Sequence, residues 1–214
     1  AAKKVVFDLR DGQVCLLENL RFHPEEEKDD DAFATELSRL ADVYVDDAFG
    51  AVHRAHASVH GIAKLFRDRG CGFLLEKEIA ALGKLVTGAE RPYVAVLGGA
   101  KVSDKIAVVE ALLAQVDALV IGGAMANTFL AAMGKDCKAS KVEGDKLALA
   151  RTLLEKAKHK RVEVLVPIDG VVAGSLEAAE GTVVDVSSVP DGKMILDIGP
   201  KTVELFAARF ANAK

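Results

Sequence analysis

The segment Leu97-Gly98-Gly99-Ala100-Lys101-Val102-Ser103-Asp104-Lys105 holds residue types suited to binding an anion. An apolar run over 93–97 enters two glycines, and a helical pattern over 101–114 follows. Glycine at such a turn lets backbone come close to a ligand, and a helix N-terminus presents free N–H groups and partial positive charge. Lys101 and Lys105 are four apart, so they share one face of the first helical turns. Cations there oppose the helix dipole, a conflict that a bound phosphate would remove. The alternative is an ordinary strand–turn–helix with solvated lysines. One unit later the run 118–121 enters Gly122-Gly123 and a second helix over 125–133. Two neighbouring parallel strands ending this way place both turns at the carboxyl edge of a sheet, where open α/β sheets bind ligands. The pairing favours a phosphate site. Neither turn has the form GxxxxGK[ST] or GxGxxG, which disfavours a P-loop enzyme and a nicotinamide-dependent oxidoreductase alike.

Strand-end arginines form a second group. Arg21 stands just beyond the run 14–17, and Arg54 stands beyond the run 43–46 in a loop with His53 and His56. Arginine suits bidentate contact with carboxylate or phosphate, although for either residue alone a surface ion pair is the commoner role. His53, His56 and His60 lack a recognisable zinc spacing, and no metal site is expected from them. Asp46 and Asp47 are candidate general bases, or else helix caps or partners of nearby Arg and His.

These residues need a scaffold. Short β-branched runs alternate with longer helical patterns, the signature of βαβ units and a mostly parallel sheet. Strands are expected over 14–17, 43–46, 93–97, 118–121, 163–167 and 182–185. Helices are expected over 32–40, 73–85, 101–114, 125–133, 145–158 and 200–212. The charged run 24–31 reads as an exposed loop. Gly88 and Pro92 break the pattern after the helix at 73–85, which marks a boundary: a first domain over 1–72, a connecting helix and linker over 73–89, and a second domain over 90–214. Half of the 214 residues are hydrophobic, which suits a globular core, and the net charge of −4 disfavours a general nucleic-acid binder. Cys15, Cys71 and Cys137 show no paired spacing and read as buried or half-buried free thiols in a reducing compartment. No apolar run approaches the ~20 residues that span a membrane, and the chain is read as cytoplasmic.

Six segments in order then resemble one family: LLENLRF, DDAFGAVHRAHAS, GFLLEKE, GGAKVSDK, IGGAMANTFL and LDIGP. The chain is similar to phosphoglycerate kinase over essentially its whole length. The resemblance implies two Rossmann-like three-layer α/β/α domains with parallel sheets, joined by a connecting helix and each incomplete here. It implies reversible phosphoryl transfer between 1,3-bisphosphoglycerate and ADP, giving 3-phosphoglycerate and ATP, with Mg2+ carried mainly by the nucleotide. By motif, Arg21 and Arg54 would hold the substrate phosphate, and Lys101 would stabilise the phosphoryl group in flight. Lys105 would hold nucleotide phosphates, with Gly98 and Gly99 giving close backbone access, while Gly122 and Gly123 would line the nucleotide pocket and Leu196 would sit near the base or ribose. A monomer is implied, as is hinge closure between domains. Ala124 and Asp46 depart from the family's common glycine and asparagine. Family segments that carry further substrate and metal residues are not found at either end, so the chain alone is expected to be inactive. The alternative is a non-catalytic fragment that keeps only nucleotide or anion binding.

Overall fold

The computed structural model describes residues 2–214. In chain order its elements are α1 (Ala2–Phe7), α2 (Pro24–Glu27), α3 (Asp31–Ser38), β1 (Tyr44–Asp46), α4 (Ile62–Leu65), β2 (Arg69–Cys71), α5 (Phe73–Gly88), β3 (Val94–Leu97), α6 (Ile106–Leu112), β4 (Ala118–Ile121), α7 (Gly123–Ala132), α8 (Leu147–Lys160), β5 (Glu163–Leu165), β6 (Asp169–Ala173), β7 (Thr182–Asp185), β8 (Met194–Ile198) and α9 (Pro200–Phe210). They divide into two compact units, Ala1–Gly88 and Ala89–Lys214, with α5 in the first.

In the first unit β1 and β2 pair in parallel, Tyr44 opposite Arg69. Ala34, Ala57, Ile62 and Phe66 are buried among α3, a single π turn at Ala57–Gly61 and the segment around α4. Asp30 starts α3 by accepting a hydrogen bond from the Phe33 N–H at 2.8 Å. Asp47 does the same for α5, accepting from the Leu75 N–H at 2.9 Å. Gly72 makes room for it, because a Cβ there would lie 2.3 Å from the Asp47 Cγ. Of the roles open to Asp47, the cap is the one seen. Asp46 accepts from the Ala48 N–H at 2.9 Å.

Three expectations fail in this unit. Residues 14–17 form no strand; Val14 and Leu16 are 91% and 95% exposed, with no strand alongside to pair them. An extended apolar run becomes a strand only when a neighbour takes its N–H and C=O groups. The charged run 24–31 is not an open loop. Pro24 opens α2 at the first helical position, and Glu26, only 3% exposed, accepts hydrogen bonds from the Ser58 N–H at 2.9 Å and the Ser58 hydroxyl at 2.5 Å. Cys71 is exposed on β2, whereas Cys137 is buried.

In the second unit β3, β4 and β5 form a parallel sheet in that order. Successive side chains of β4 point to opposite faces, and the strand is buried throughout. Leu119 and Ile121 enter the larger core with Val109, Met125, Phe129, Leu130 and Leu153. Val120 enters a second cluster with Leu165 and Phe206. The sheet is therefore packed with α6, α7 and α8 on one face and α9 on the other. A separate antiparallel sheet, β7-β6-β8, carries a bulge at Val171 and Val172. Its β7 matches the strand expected over 182–185, whereas β6 and β8 lie outside the expected strands and the pairing is antiparallel where a mostly parallel sheet is expected.

Candidate functional site

Parallel pairing of β3 with β4, Leu97 opposite Ile121, sets the two Gly-Gly turns side by side. They interlock. The Gly122 N–H donates to the Leu97 carbonyl at 2.8 Å, and the Met125 N–H donates to the Gly99 carbonyl at 2.8 Å. Gly123 has φ +66°, and a Cβ on it would meet the Gly99 nitrogen at 2.9 Å. Both the conformation and the close approach require glycine. A Cβ on Gly98 would fall 3.9 Å from the Gly122 carbonyl carbon. Gly99, at φ +156°, is covered by the stem of Lys105, whose Cε lies 3.1 Å from where a Cβ would stand.

The helix after the first turn begins later than the spacing suggests. Residues Ser103–Lys105 form a 3-10 turn, and α6 starts at Ile106. Lys101 therefore precedes the helix and does not share its first turns with Lys105. The N–H groups expected to face a ligand are partly engaged within the chain. The Val102 and Ser103 N–H groups both donate to the Glu143 carboxylate, the latter at 3.2 Å, and the Ser103 hydroxyl donates to it at 2.7 Å. The Ser103 hydroxyl hydrogen bond, ahead of the opposing effect of burial and with help from the two N–H groups, holds the Glu143 carboxyl below the usual carboxylate range. The start of α9 repeats the device. Asp169, 3% exposed, accepts from the Lys201 N–H at 3.0 Å, the Thr202 N–H at 2.8 Å and the Thr202 hydroxyl at 2.6 Å. Burial alone would raise the Asp169 carboxyl, yet these hydrogen bonds keep it below the ordinary value. Gly199 is needed beside it, since a Cβ there would lie 2.3 Å from that carboxylate.

Among the described residues, neither the Lys101 nor the Lys105 ammonium lies within ion-pair distance of a carboxylate. A largely apolar cleft of about 210 Å³ opens at the start of α7, lined by Gly123, Asn127, Lys141, Met194, Leu196 and Asp197 among others. Of the predicted residues it gathers Gly123 and Leu196, with Ala124 also in its wall; Gly98, Gly99, Gly122, Lys101 and Lys105 do not line it. Asn127, Lys141 and Asp197 escaped the sequence reading. Asn127 falls four residues after Gly123 on one helix face, a spacing that could have found it, whereas Lys141 sits in a loop with no motif.

In the first unit, Arg21 belongs to a 3-10 turn, Leu20–Phe22, whose cap Asn19 accepts from the Arg21 N–H at 3.0 Å. Its guanidinium is 3.9 Å from Glu27 on an exposed surface, a contact of little energy. Arg54 lines a cleft of about 520 Å³ with His53, His60, Lys64 and Arg69. Arg21 lines another of about 360 Å³, and the two clefts share Asp46 and Val59. The histidines have separate partners: His56 is buried 3.9 Å from Glu26, and His60 Nδ1 lies 2.5 Å from Asp29. The hydrogen bond to His60 lowers the Asp29 carboxyl. No group of three His, Cys, Asp or Glu side chains among the described residues is placed to hold a metal ion.

Fold and site together define an α/β protein with interlocked glycine turns, unpaired lysines and an apolar cleft in one unit, and arginine-lined clefts in the other. A sequence profile described as phosphoglycerate kinase matches residues 1–214. The chain belongs to the phosphoglycerate kinase family. It is 56% identical over 213 residues to the phosphoglycerate kinase of Anaeromyxobacter dehalogenans, covering 99% of this chain and 54% of the relative. It is 55% identical over 207 residues to that of Moorella thermoacetica, covering 96% and 52%. The solved phosphoglycerate kinase of Coxiella burnetii superposes with a TM-score of 0.81 at 40% identity, covering 94% of this chain and 52% of that one. That of Pyrococcus horikoshii superposes with a TM-score of 0.76 at 31% identity, covering 97% and 55%. The chain thus spans about half the length of the curated relatives it matches. Among the described residues no helix is long and apolar enough to cross a membrane.

Proposed function

We propose that this chain serves phosphoryl transfer between 1,3-bisphosphoglycerate and ADP, binding the nucleotide on the second unit and the glycerate substrate on the first. The observation that carries the reading is the pair of unpaired ammoniums, Lys101 and Lys105, on a segment anchored at interlocked glycine turns. Two cations held without a carboxylate partner on folded backbone suit a phosphate group, and the apolar cleft beside Gly123 suits a base or ribose against Leu196. Lys105 is assigned to the nucleotide phosphates and Lys101 to the phosphoryl group in transfer. Gly98 and Gly99 keep side chains away from those phosphates, and Gly122 and Gly123 border the nucleotide. Arg21 and Arg54 are assigned to the substrate phosphate. The nucleotide supplies the phosphoryl donor or acceptor and brings Mg2+ on its own phosphates. Transfer of this kind rests on positioning and charge neutralisation, which fixed cations provide without covalent chemistry. The proposed setting is a cytoplasmic, monomeric enzyme acting on small molecules rather than on nucleic acid or membrane.

Because the chain spans about half of its relatives' length, binding is measured apart from turnover. Calorimetric titration of the chain with Mg-ADP is expected to show one site. Lys105→Ala is expected to weaken it roughly tenfold or more, the effect of losing a charge-assisted contact of about 1.5–3 kcal/mol. Equal affinity in the variant would remove Lys105 from the site.

A further inference from the structure

Glu143 lies outside the motifs that point to phosphate, in the loop before α8. It nevertheless touches both glycine-turn segments. Its own N–H donates to the Thr128 hydroxyl at 3.1 Å, and Thr128 is fully buried on α7, the helix that follows Gly122-Gly123. Its carboxylate accepts from the Val102 and Ser103 N–H groups and the Ser103 hydroxyl, in the segment that follows Gly98-Gly99. Those three donors fall between Lys101 and Lys105. They stand at the entry to the 3-10 turn that leads into α6. A carboxylate that accepts from three donors holds their backbone at three points.

We propose that Glu143 is a positioning residue for the nucleotide site: its carboxylate holds the Val102–Ser103 backbone and so fixes the segment from which Lys101 and Lys105 reach the ligand phosphates. The inference rests on the nucleotide reading above. It adds that phosphate is met there by the lysine side chains and not by the Val102 and Ser103 N–H groups. Two consequences have opposite signs and separate this from a simple charge effect. If Glu143 acted on the ligand through its charge, removing the charge would tighten binding of an anionic nucleotide. If it acts by holding the segment, removing its oxygens loosens binding, and an uncharged group of the same shape restores it.

The test compares Glu143→Ala, Glu143→Gln and Ser103→Ala with the parent chain and with Lys105→Ala. Glutamine keeps an acceptor for the N–H groups, and its amide can donate to the Ser103 hydroxyl, so the geometry survives without the charge. Mg-ADP affinity is expected to fall about tenfold or more in Glu143→Ala, as misplacement of positioned groups does. It is expected to fall less in Ser103→Ala and to stay within about threefold of the parent in Glu143→Gln. Amide hydrogen exchange without ligand is the second readout. Protection of the Val102 and Ser103 amides is expected to be lost in Glu143→Ala and kept in Glu143→Gln, with β4 amides unchanged in both. Parent-like affinity and protection in Glu143→Ala would overturn the proposal, as would tighter binding in both Glu143 variants. A parent chain that binds no Mg-ADP but loses Val102 and Ser103 protection in Glu143→Ala would refute the nucleotide reading and retain the ordering role. Retained protection in that chain would refute both.

Discussion

Asp169 shows how much one buried carboxylate does in this fold. It leaves β6, crosses to the first turn of α9 and accepts two N–H groups and a hydroxyl. Its folded value lies below the ordinary one, so the unfolded chain binds the extra proton. The stabilisation is complete above the ordinary Asp range of about 3.9 and drains as pH falls through the lower folded value. Asp169→Asn is expected to cost about 2 kcal/mol in urea unfolding at neutral pH, because an amide NH2 then faces N–H donors. The same variant is expected to show a flatter loss of stability on the acid side. Asp and Gly are residue types common in turns, so the composition at 169–170 does not mark the strand that begins there. The glycine is there for a different reason: a Cβ would meet Ile195 Cγ2 at 2.9 Å.

Elements were legible where a single element carried its own signal. The run in β4 is apolar on both faces because helices cover both, and it was read correctly, as were the cores of α5, α7, α8 and α9. The error at 14–17 has the opposite cause: the run has strand composition, but pairing depends on a partner that composition does not report. The carboxylate that accepts from the Val102 and Ser103 N–H groups ahead of α6 comes from Glu143, some 40 residues away in sequence, so no local pattern around Lys101 reveals it. Of the site, the glycines and lysines were visible as motifs, whereas their internal caps were not. Phe129 packs in the larger core from α7. Phe129→Ala is expected to lower unfolding stability by about 3–5 kcal/mol, seen as a lower urea midpoint at an unchanged slope.

Across the whole chain the burial is uneven. The second unit encloses an extended core, while the first leaves Phe73, Val86, Val45 and Phe22 largely exposed and has β2 open throughout. Local opening follows burial, so amide exchange of the intact chain is expected to be slowest in β4 and α7 and fastest in β1, β2 and the preceding turns. Uniform protection across both units would contradict that gradient.

The Glu143 carboxylate ties the Val102 and Ser103 backbone, midway along the Gly98–Lys105 segment, to the loop before α8. Association at that point therefore carries little ordering entropy from the backbone. Under the proposed assignment, a phosphate would immobilise two lysine stems, at about 0.5–1.5 kcal/mol each, so the entropic toll of binding would be set by side chains and not by the fold.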